Sequence, residues 1–275
     1  MKIAFIGCGN MAQSLIGGLV ANGHPAGDII VADLSDTATS TAAERFGVLI
    51  ADDNSQAFDL AESIVLAVKP QHIKTVLSDA ASKLDSQLLI SIAAGILSQD
   101  MLSWAQADQN NIAVVRCMPN TPALLQCGAT GLYADDRVTQ DQRQVAEDIL
   151  KSVGATTWVP EEKQLDAITA LSGSGPAYFF LMIEAMTDAA VTLGLDKDVA
   201  TEFAIQTALG AARMASEGEP DPATLRKNVT SPAGTTEAAL KDFNQNNFKQ
   251  IVQTAMQAAN DRALALGKEL GDSNG

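Results

Sequence analysis

Basic residues are scarce in this chain. Eighteen Lys and Arg stand against 33 Asp and Glu, a formal net charge of −15. Nucleic-acid binding is driven by cationic side chains that displace counterions from phosphate, so this balance argues against a nucleic-acid partner, and equally against a membrane surface. Aromatic residues make up only 4%, which leaves Ala, Leu, Ile and Val to do the packing. Histidine occurs twice, at His24 and His72, and the three cysteines Cys8, Cys117 and Cys127 have no paired spacing. Neither a disulfide framework nor a metal site is expected from them; all three read as small packing residues, reduced thiols in a cytoplasmic setting. No stretch approaches the roughly 20 apolar residues of a membrane span. The opening run of residues 2–6 stops at Gly7, short of a secretory leader, and reads as a buried strand. The expectation is a soluble, cytoplasmic protein, with 275 residues and 47% hydrophobic content sufficient for one large or two ordinary domains.

The first half alternates strand-like and helix-like segments. Short apolar runs at 2–6, 29–32, 63–68, 88–92, 112–117, 129–133 and 156–159 predict strands, with helix-length segments between them. That pattern predicts an α/β domain over residues 1–160, a mostly parallel, helix-covered, doubly wound sheet. Between the first strand and the first helix lies Gly7-Cys8-Gly9-Asn10-Met11-Ala12. In such a turn the first glycine permits the tight bend, the second lets backbone approach a pyrophosphate, and the third position packs the helix on the strand. The helix N-terminus adds free N–H groups and a positive dipole for the phosphates. Asp33 follows 21 positions after Ala12, at the end of the second strand. A carboxylate there accepts from a ribose 2′-OH and repels a 2′-phosphate. No arginine follows it, since Leu34, Ser35 and Asp36 come next, so local chemistry favours NADH. Asp33 also suits a helix cap. The segments after Val68, Ile92 and Cys117 end in small residues or proline, at the sheet edge where ligands bind, and suit the nicotinamide and ribose side. Lys69 suits either a phosphate contact or a surface charge.

Residues 161–275 carry no strand pattern and predict an all-helical second domain. Apolar residues keep helical spacing on both sides of Leu171-Ser172-Gly173-Ser174-Gly175-Pro176-Ala177-Tyr178, which predicts one long helix kinked at that break. Gly194 ends it, Asp196 caps the next helix, and Gly218 closes that one. Asp221-Pro222 starts a short helix through Leu225, and a last helix runs from about Phe248 to a stop at Gly267. The tail 271–275 is expected to fray. Small residues on several helix faces, such as Ala189, Ala190, Ala211 and Ala212, point to burial against a second copy of the chain. Ser231-Pro232-Ala233-Gly234-Thr235-Thr236-Glu237 opens a further helix. Hydroxyls beside free N–H groups at a helix start form a seat for a carboxylate.

Taken together, Ile6 to Ala12, Ala67-Val68-Lys69-Pro70, Ala93-Ala94-Gly95, Met118-Pro119-Asn120-Thr121-Pro122, Leu171 to Tyr178 and Thr230 to Thr236 resemble pyrroline-5-carboxylate reductase, in the family's order and across nearly the whole chain. The resemblance implies reduction of 1-pyrroline-5-carboxylate to L-proline with NADPH or NADH, the last step of proline biosynthesis. It implies a Rossmann domain followed by a helical dimerisation domain, with active sites built across a homodimer and often a pentamer of dimers. On the matching positions, Gly7, Cys8, Gly9, Asn10 and Met11 would hold the pyrophosphate. Asp33, Ser35 and Asn54 would lie at the adenosine end. Ala67, Val68, Lys69, Pro70, Ala93, Ala94 and Gly95 would line the nicotinamide side, and Asn228 would reach the cofactor. Ser231 and Thr236 would carry the catalytic contacts, with Gly234, Thr235 and Glu219 on the substrate.

Two departures stand out. The family's Ser-Pro-Gly-Gly-Thr-Thr has Ala233 here in place of its first glycine, which strains the loop if that position needs positive φ. Most members prefer NADPH, whereas Asp33 speaks for NADH. Hydride transfer to a cyclic imine needs neither metal nor nucleophile from the protein, which agrees with the residue inventory. A β-hydroxyacid-type dehydrogenase would need a lysine on the helix linking its domains. This chain has Lys163 before the break and none between Ala177 and Leu195.

Overall fold

The computed structural model describes residues 1–107 and 111–272. It divides into two compact units: Met1–Ser174 with Ala259–Gly275, and Gly175–Ala258. The division expected at 160/161 therefore falls inside the first unit, which also takes in the end of the last helix.

The first unit is built on an eight-stranded sheet: β1 (Ile3–Ile6), β2 (Ile29–Ala32), β3 (Leu49–Ile50), β4 (Ser63–Leu66), β5 (Leu88–Ser91), β6 (Ala113–Met118), β7 (Gly128–Ala134) and β8 (Gly154–Trp158). Their order is β3-β2-β1-β4-β5-β6-β7-β8. Every pairing is parallel except β6 with β7. Strands buried on both faces read as unbroken apolar runs, and Ile-Ala-Phe-Ile and Ile-Ile-Val-Ala do so. Alternate residues serve opposite cores. Ile3 and Phe5 join Leu15, Ile16 and Leu19 of α1 (Asn10–Ala21) and Ile149 and Leu150 of α6 (Gln140–Lys151). Ala4 and Ile6 join Phe58 of α3 (Asn54–Leu60), Ile73 and Leu77 of α4 (Pro70–Ala80) and Met101 of α5 (Ser98–Trp104). With α2 (Asp36–Phe46) beside α1, the sheet is covered on both faces. Strand order reverses between β1 and β4, so the crevice beyond their carboxyl ends is the expected ligand position.

Among the ion pairs of the described residues, one is deep enough to matter for stability. Arg116 on β6 is almost wholly buried, and its Nη1 lies 2.8 Å from Glu162 Oε1. That oxygen also accepts the Ser98 N–H at 2.7 Å. Burial raises the Asp166 carboxyl above the usual range, and Arg116 draws it partly back.

Three sequence expectations change here. The break at 171–178 is not a proline kink in a continuous α-helix. After α7 (Gln164–Ile168) the backbone makes one π turn, Thr169–Gly173, closed by the Ser174 N–H to the Thr169 carbonyl at 2.8 Å, and α8 begins at Gly175. Gly173 is glycine because a Cβ there would come within 2.8 Å of Met118 Cε. The last helix, α12 (Phe248–Asp272), does not stop at Gly267. That glycine is a packing residue, since its Cβ would sit 3.0 Å from the Gly95 carbonyl oxygen. The helix reaches Asp272, and the rest of the expected frayed tail lies outside the described residues. Finally, Cys127 is exposed rather than packed, unlike Cys8 and Cys117.

The second unit comprises α8 (Gly175–Thr192), α9 (Lys197–Glu217), α10 (Pro222–Asn228), α11 (Thr235–Gln245) and the first part of α12. Asp196 and Asp221 accept from backbone N–H groups at the starts of α9 and α10. Within this unit only Gly175, Thr187, Ala200 and Ala204 are buried. Phe179, Phe180 and Phe203 are each about two-thirds exposed (68%, 66% and 66%). Among the described residues no helix is long and apolar enough to cross a membrane.

Substituting Glu162→Ala would leave the Arg116 guanidinium buried without its partner, and removing one member of a buried pair typically costs about 3 kcal/mol. Denaturant unfolding should show a loss of that order for Glu162→Ala and a smaller one for Glu162→Gln. Equal stability of the alanine variant would show that the pair is not needed.

Candidate active site

The turn Gly7 to Met11 leaves β1 at the sheet's switch point. Gly7 has φ +96, and a Cβ there would lie 2.8 Å from the Ala67 carbonyl and the Val68 nitrogen. No other residue fits, and that closeness draws the first turn onto the end of β4. Gly9 has open space before it and caps α1 without any side-chain bond. A helix start with free N–H groups and room in front suits a pyrophosphate, so the residues present fit a dinucleotide. Ala12 is buried against the sheet.

Asp33 ties this turn to the next loop. One carboxylate oxygen accepts the Cys8 N–H at 2.7 Å and the other accepts the Ser35 N–H at 2.8 Å. A carboxylate has about four acceptor positions, so both oxygens keep capacity for ribose hydroxyls. The cap of α2 is Ser35, whose Oγ accepts the Ala38 N–H, not Asp33. Asp33 and Asn54 line one cavity of about 270 Å³ beyond β2. At the β4 edge, Lys69 is exposed and makes no ion pair among the described residues, and Pro70 is the first residue of α4. Ala93 is buried, its N–H donating to Ser91 Oγ at 3.3 Å. Ala94 is half-buried. Gly95, with φ +83, is covered by Gly267 and Leu270 of α12.

Burial, and after it the Asp33 charge, push the Cys8 thiol up to about 11. The thiol proton points to the Ala38 carbonyl at 3.5 Å. Cys117 is raised by burial as well. These are packed, neutral thiols.

The second cluster lies in the helical unit. Gly234 caps α11, again without a side-chain bond, and Thr235 and Thr236 are the first two helical residues. The hydroxyls of Ser231, Thr235 and Thr236 make no protein hydrogen bond among the described residues, whereas Thr230 Oγ1 donates to the Arg226 carbonyl at 2.6 Å. Gly234 admits no side chain, because a Cβ would meet Ser231 Oγ at 2.5 Å. Asn228 ends α10, and Glu219 lies exposed between α9 and α10.

Ala233 has φ +57. This is the left-handed region that the family's glycine adopts without strain, and an alanine there costs about 1 kcal/mol. Glu237, noted from sequence only as a polar helix start, reaches back so that its Oε2 accepts the Ala233 N–H at 2.8 Å. This charge-assisted bond holds the strained residue in place. Asn120, noted from sequence only as part of the 118–122 motif, has a positioning task. Its Nδ2 donates to the Ser172 carbonyl at 3.0 Å, and its Oδ1 accepts the Ala129 N–H at 2.8 Å, joining the π turn to β7. Lys163 is exposed and paired with Glu161 at 2.7 Å, which removes the lysine that a β-hydroxyacid-type site would require. No cluster of His, Cys, Asp and Glu among the described residues could hold a metal.

Comparison with known proteins decides between the related classes. Residues 162–266 match the pattern described as pyrroline-5-carboxylate reductase dimerisation, and residues 2–95 match that of NADP oxidoreductase, coenzyme F420-dependent. A pyrroline-5-carboxylate reductase of Pseudomonas aeruginosa is 48% identical over 271 residues, 98% of each chain.

This chain belongs to the pyrroline-5-carboxylate reductase family.

The solved reductase of Coxiella burnetii superimposes with a TM-score of 0.92 at 43% identity, covering 96% of this chain and 98% of its own. That of Plasmodium falciparum, solved with NADP bound, gives 0.83 at 29% identity, covering 97% and 98%. Family membership makes the helical unit a dimerisation domain.

Three measurements test this geometry. Ala233→Gly should raise unfolding free energy by about 0.5–1 kcal/mol, since relief of left-handed strain exceeds the extra chain entropy; a loss of stability would contradict the strain. Iodoacetamide at neutral pH should label Cys127 and spare Cys8 and Cys117 until the chain is denatured. Because the folded state holds the Cys8 proton where an unfolded thiol has lost it, stability should fall as pH rises from 9.0 towards about 11.

Proposed function

We propose that the protein reduces 1-pyrroline-5-carboxylate to L-proline by hydride transfer from NADPH or NADH. The observation that carries this reading is the unoccupied hydrogen-bonding capacity at the start of α11. Three free hydroxyls and uncapped N–H groups stand there at the positive end of a helix, as a carboxylate requires.

Each group has a task in this scheme. The nicotinamide cofactor supplies the hydride when bound. Gly7, Cys8, Gly9, Asn10 and Met11 hold its pyrophosphate against the start of α1. Asp33, Ser35 and Asn54 bound the adenosine end, while Ala67 to Pro70 and Ala93 to Gly95 bound the nicotinamide side. Asn228 contributes a further cofactor contact. Ser231, Gly234 and Thr235 grip the substrate carboxylate, which fixes the imine carbon for attack. Thr236 orients the imine nitrogen. Its hydroxyl is too weak an acid to protonate that nitrogen, so the substrate reacts as the iminium, which arrives with its proton from solvent and which Thr236 orients. Glu219 borders the substrate from the α9–α10 loop.

The functional division of the chain is at 160/161, with the nucleotide bound by the first part and the substrate by the second. The apolar faces of the helical part pair with those of a second copy, giving a homodimer that assembles further as a pentamer of dimers in the cytoplasm.

The test is optical: oxidation of NADH and of NADPH on adding 1-pyrroline-5-carboxylate, with proline assayed as product. One proline should form per cofactor oxidised. Ser231→Ala should raise KM for the imine acid by about tenfold, the worth of one hydrogen bond to a charged group. Thr236→Val should mainly lower kcat. Absence of turnover with both cofactors would overturn the proposal.

A further inference from the structure

Resting on the dinucleotide reading of the Gly7–Met11 turn, we infer that the adenosine end of this site selects NADH and rejects the 2′-phosphate of NADPH, with Asp33, Asp52, Asp53 and Asp79 as the determinants. These four carboxylates line the cavity of about 270 Å³ beyond β2, together with Leu34 and Asn54, and no Lys, Arg or His lines it.

Three features make the selection structural rather than a matter of net charge. Three of the four carboxylates are held in place. Asp33 is fixed by the Cys8 and Ser35 N–H groups at 2.7 and 2.8 Å, and Asp53 Oδ1 accepts the Gln56 N–H at 2.8 Å. Asp52 Oδ2 accepts from Gln56 Nε2 at 3.2 Å. The helix starts that could otherwise seat an anion are already served: Ser35 Oγ caps α2 and Asp53 caps α3. No counter-ion neutralises the group, because none of the four aspartates forms an ion pair among the described residues. The nearby Arg45 is stacked over the Phe46 ring at 4.8 Å and lines a different cavity, with Asn10 and Ser14.

A 2′-phosphate carries a charge of about −1.5 to −2 near pH 7. Entering this cavity it would meet like charges, with only the neutral donors of Asn54 and Ser55 and no cation to offset them. The ribose of NADH brings hydroxyl donors instead, and Asp33 retains acceptor positions for them. Leu34, fully exposed beside Asp33, occupies a position where a cation would reverse the preference.

The experiment is calorimetric titration of the full-length protein with NAD⁺ and with NADP⁺, which reads binding without turnover. At low ionic strength NADP⁺ should bind more weakly by about tenfold or more, the size of one poorly screened like-charge contact. The gap should narrow in high salt. Leu34→Arg, and separately the double variant Asp52→Asn/Asp79→Asn, should each shift the Kd ratio towards NADP⁺, and kcat/KM for the reduced forms should follow the same ratio. Equal or tighter binding of NADP⁺ at low salt would overturn the inference, as would a gap that salt and both variants leave unchanged. Failure of both dinucleotides to bind would overturn the dinucleotide reading, and this inference with it.

Discussion

The helical unit has almost nothing of its own to bury. Its amphipathic helices need an apolar partner to repay the entropy of ordering them, yet only four of its residues are out of solvent. The contrast with the sheet unit is direct. There, Ile, Val and Leu fill two continuous cores, and each fully buried side chain is worth about 1.5–3 kcal/mol. Phe179, Phe180, Phe203, Leu209 and Ile251 instead stand in water. Exposed apolar surface on this scale marks an association face, and an isologous pairing would cover it with a second copy of itself. The hydroxyl-bearing loop at 229–234 is carried between α10 and α11 of this same unit. Its strained Ala233 and its bond to Glu237 therefore depend on helices that the chain alone does not stabilise.

Electrostatics constrain both clusters. A chain with a net charge of −15 binds anionic ligands only where local geometry opposes the global field. Two uncapped helix starts, α1 and α11, offer such geometry, because Gly9 and Gly234 leave N–H groups free. Where a side chain does cap, as Ser35 and Asp53 do, no anion is served. The same acidic composition is thus compatible with the pyrophosphate and carboxylate sites proposed above.

Much of the fold was legible in the sequence. Seven strands were placed within a few residues at each end, because strands buried on both faces leave unbroken apolar runs. Asp196 and Asp221 announced their helices because their caps are local. The two-residue β3 was not legible: Leu49 and Ile50 are both exposed, so no burial pattern marked them. Gly267 was mistaken for a helix stop because its cause, the Gly95 carbonyl, lies far away in sequence. The π turn was hidden for the same reason, since Gly173 answers to Met118. At the site, the Gly7 turn and the hydroxyl-rich loop were readable from residue type and order. Glu237 and the pairing of Arg116 with Glu162 were not, because which carboxylate serves which donor is settled only by the folded backbone.

The central claim is that the helical unit is completed by a second copy, and that the site on it is formed only in the assembly. Sedimentation velocity of the full-length protein across a wide dilution range, with imine-dependent oxidation of NADH assayed on the same samples, tests it most directly. The account predicts a multiple of the 28.7 kDa chain mass wherever the protein is folded, and loss of activity wherever dilution breaks the assembly. A folded monomer of 28.7 kDa that retains full activity would contradict it.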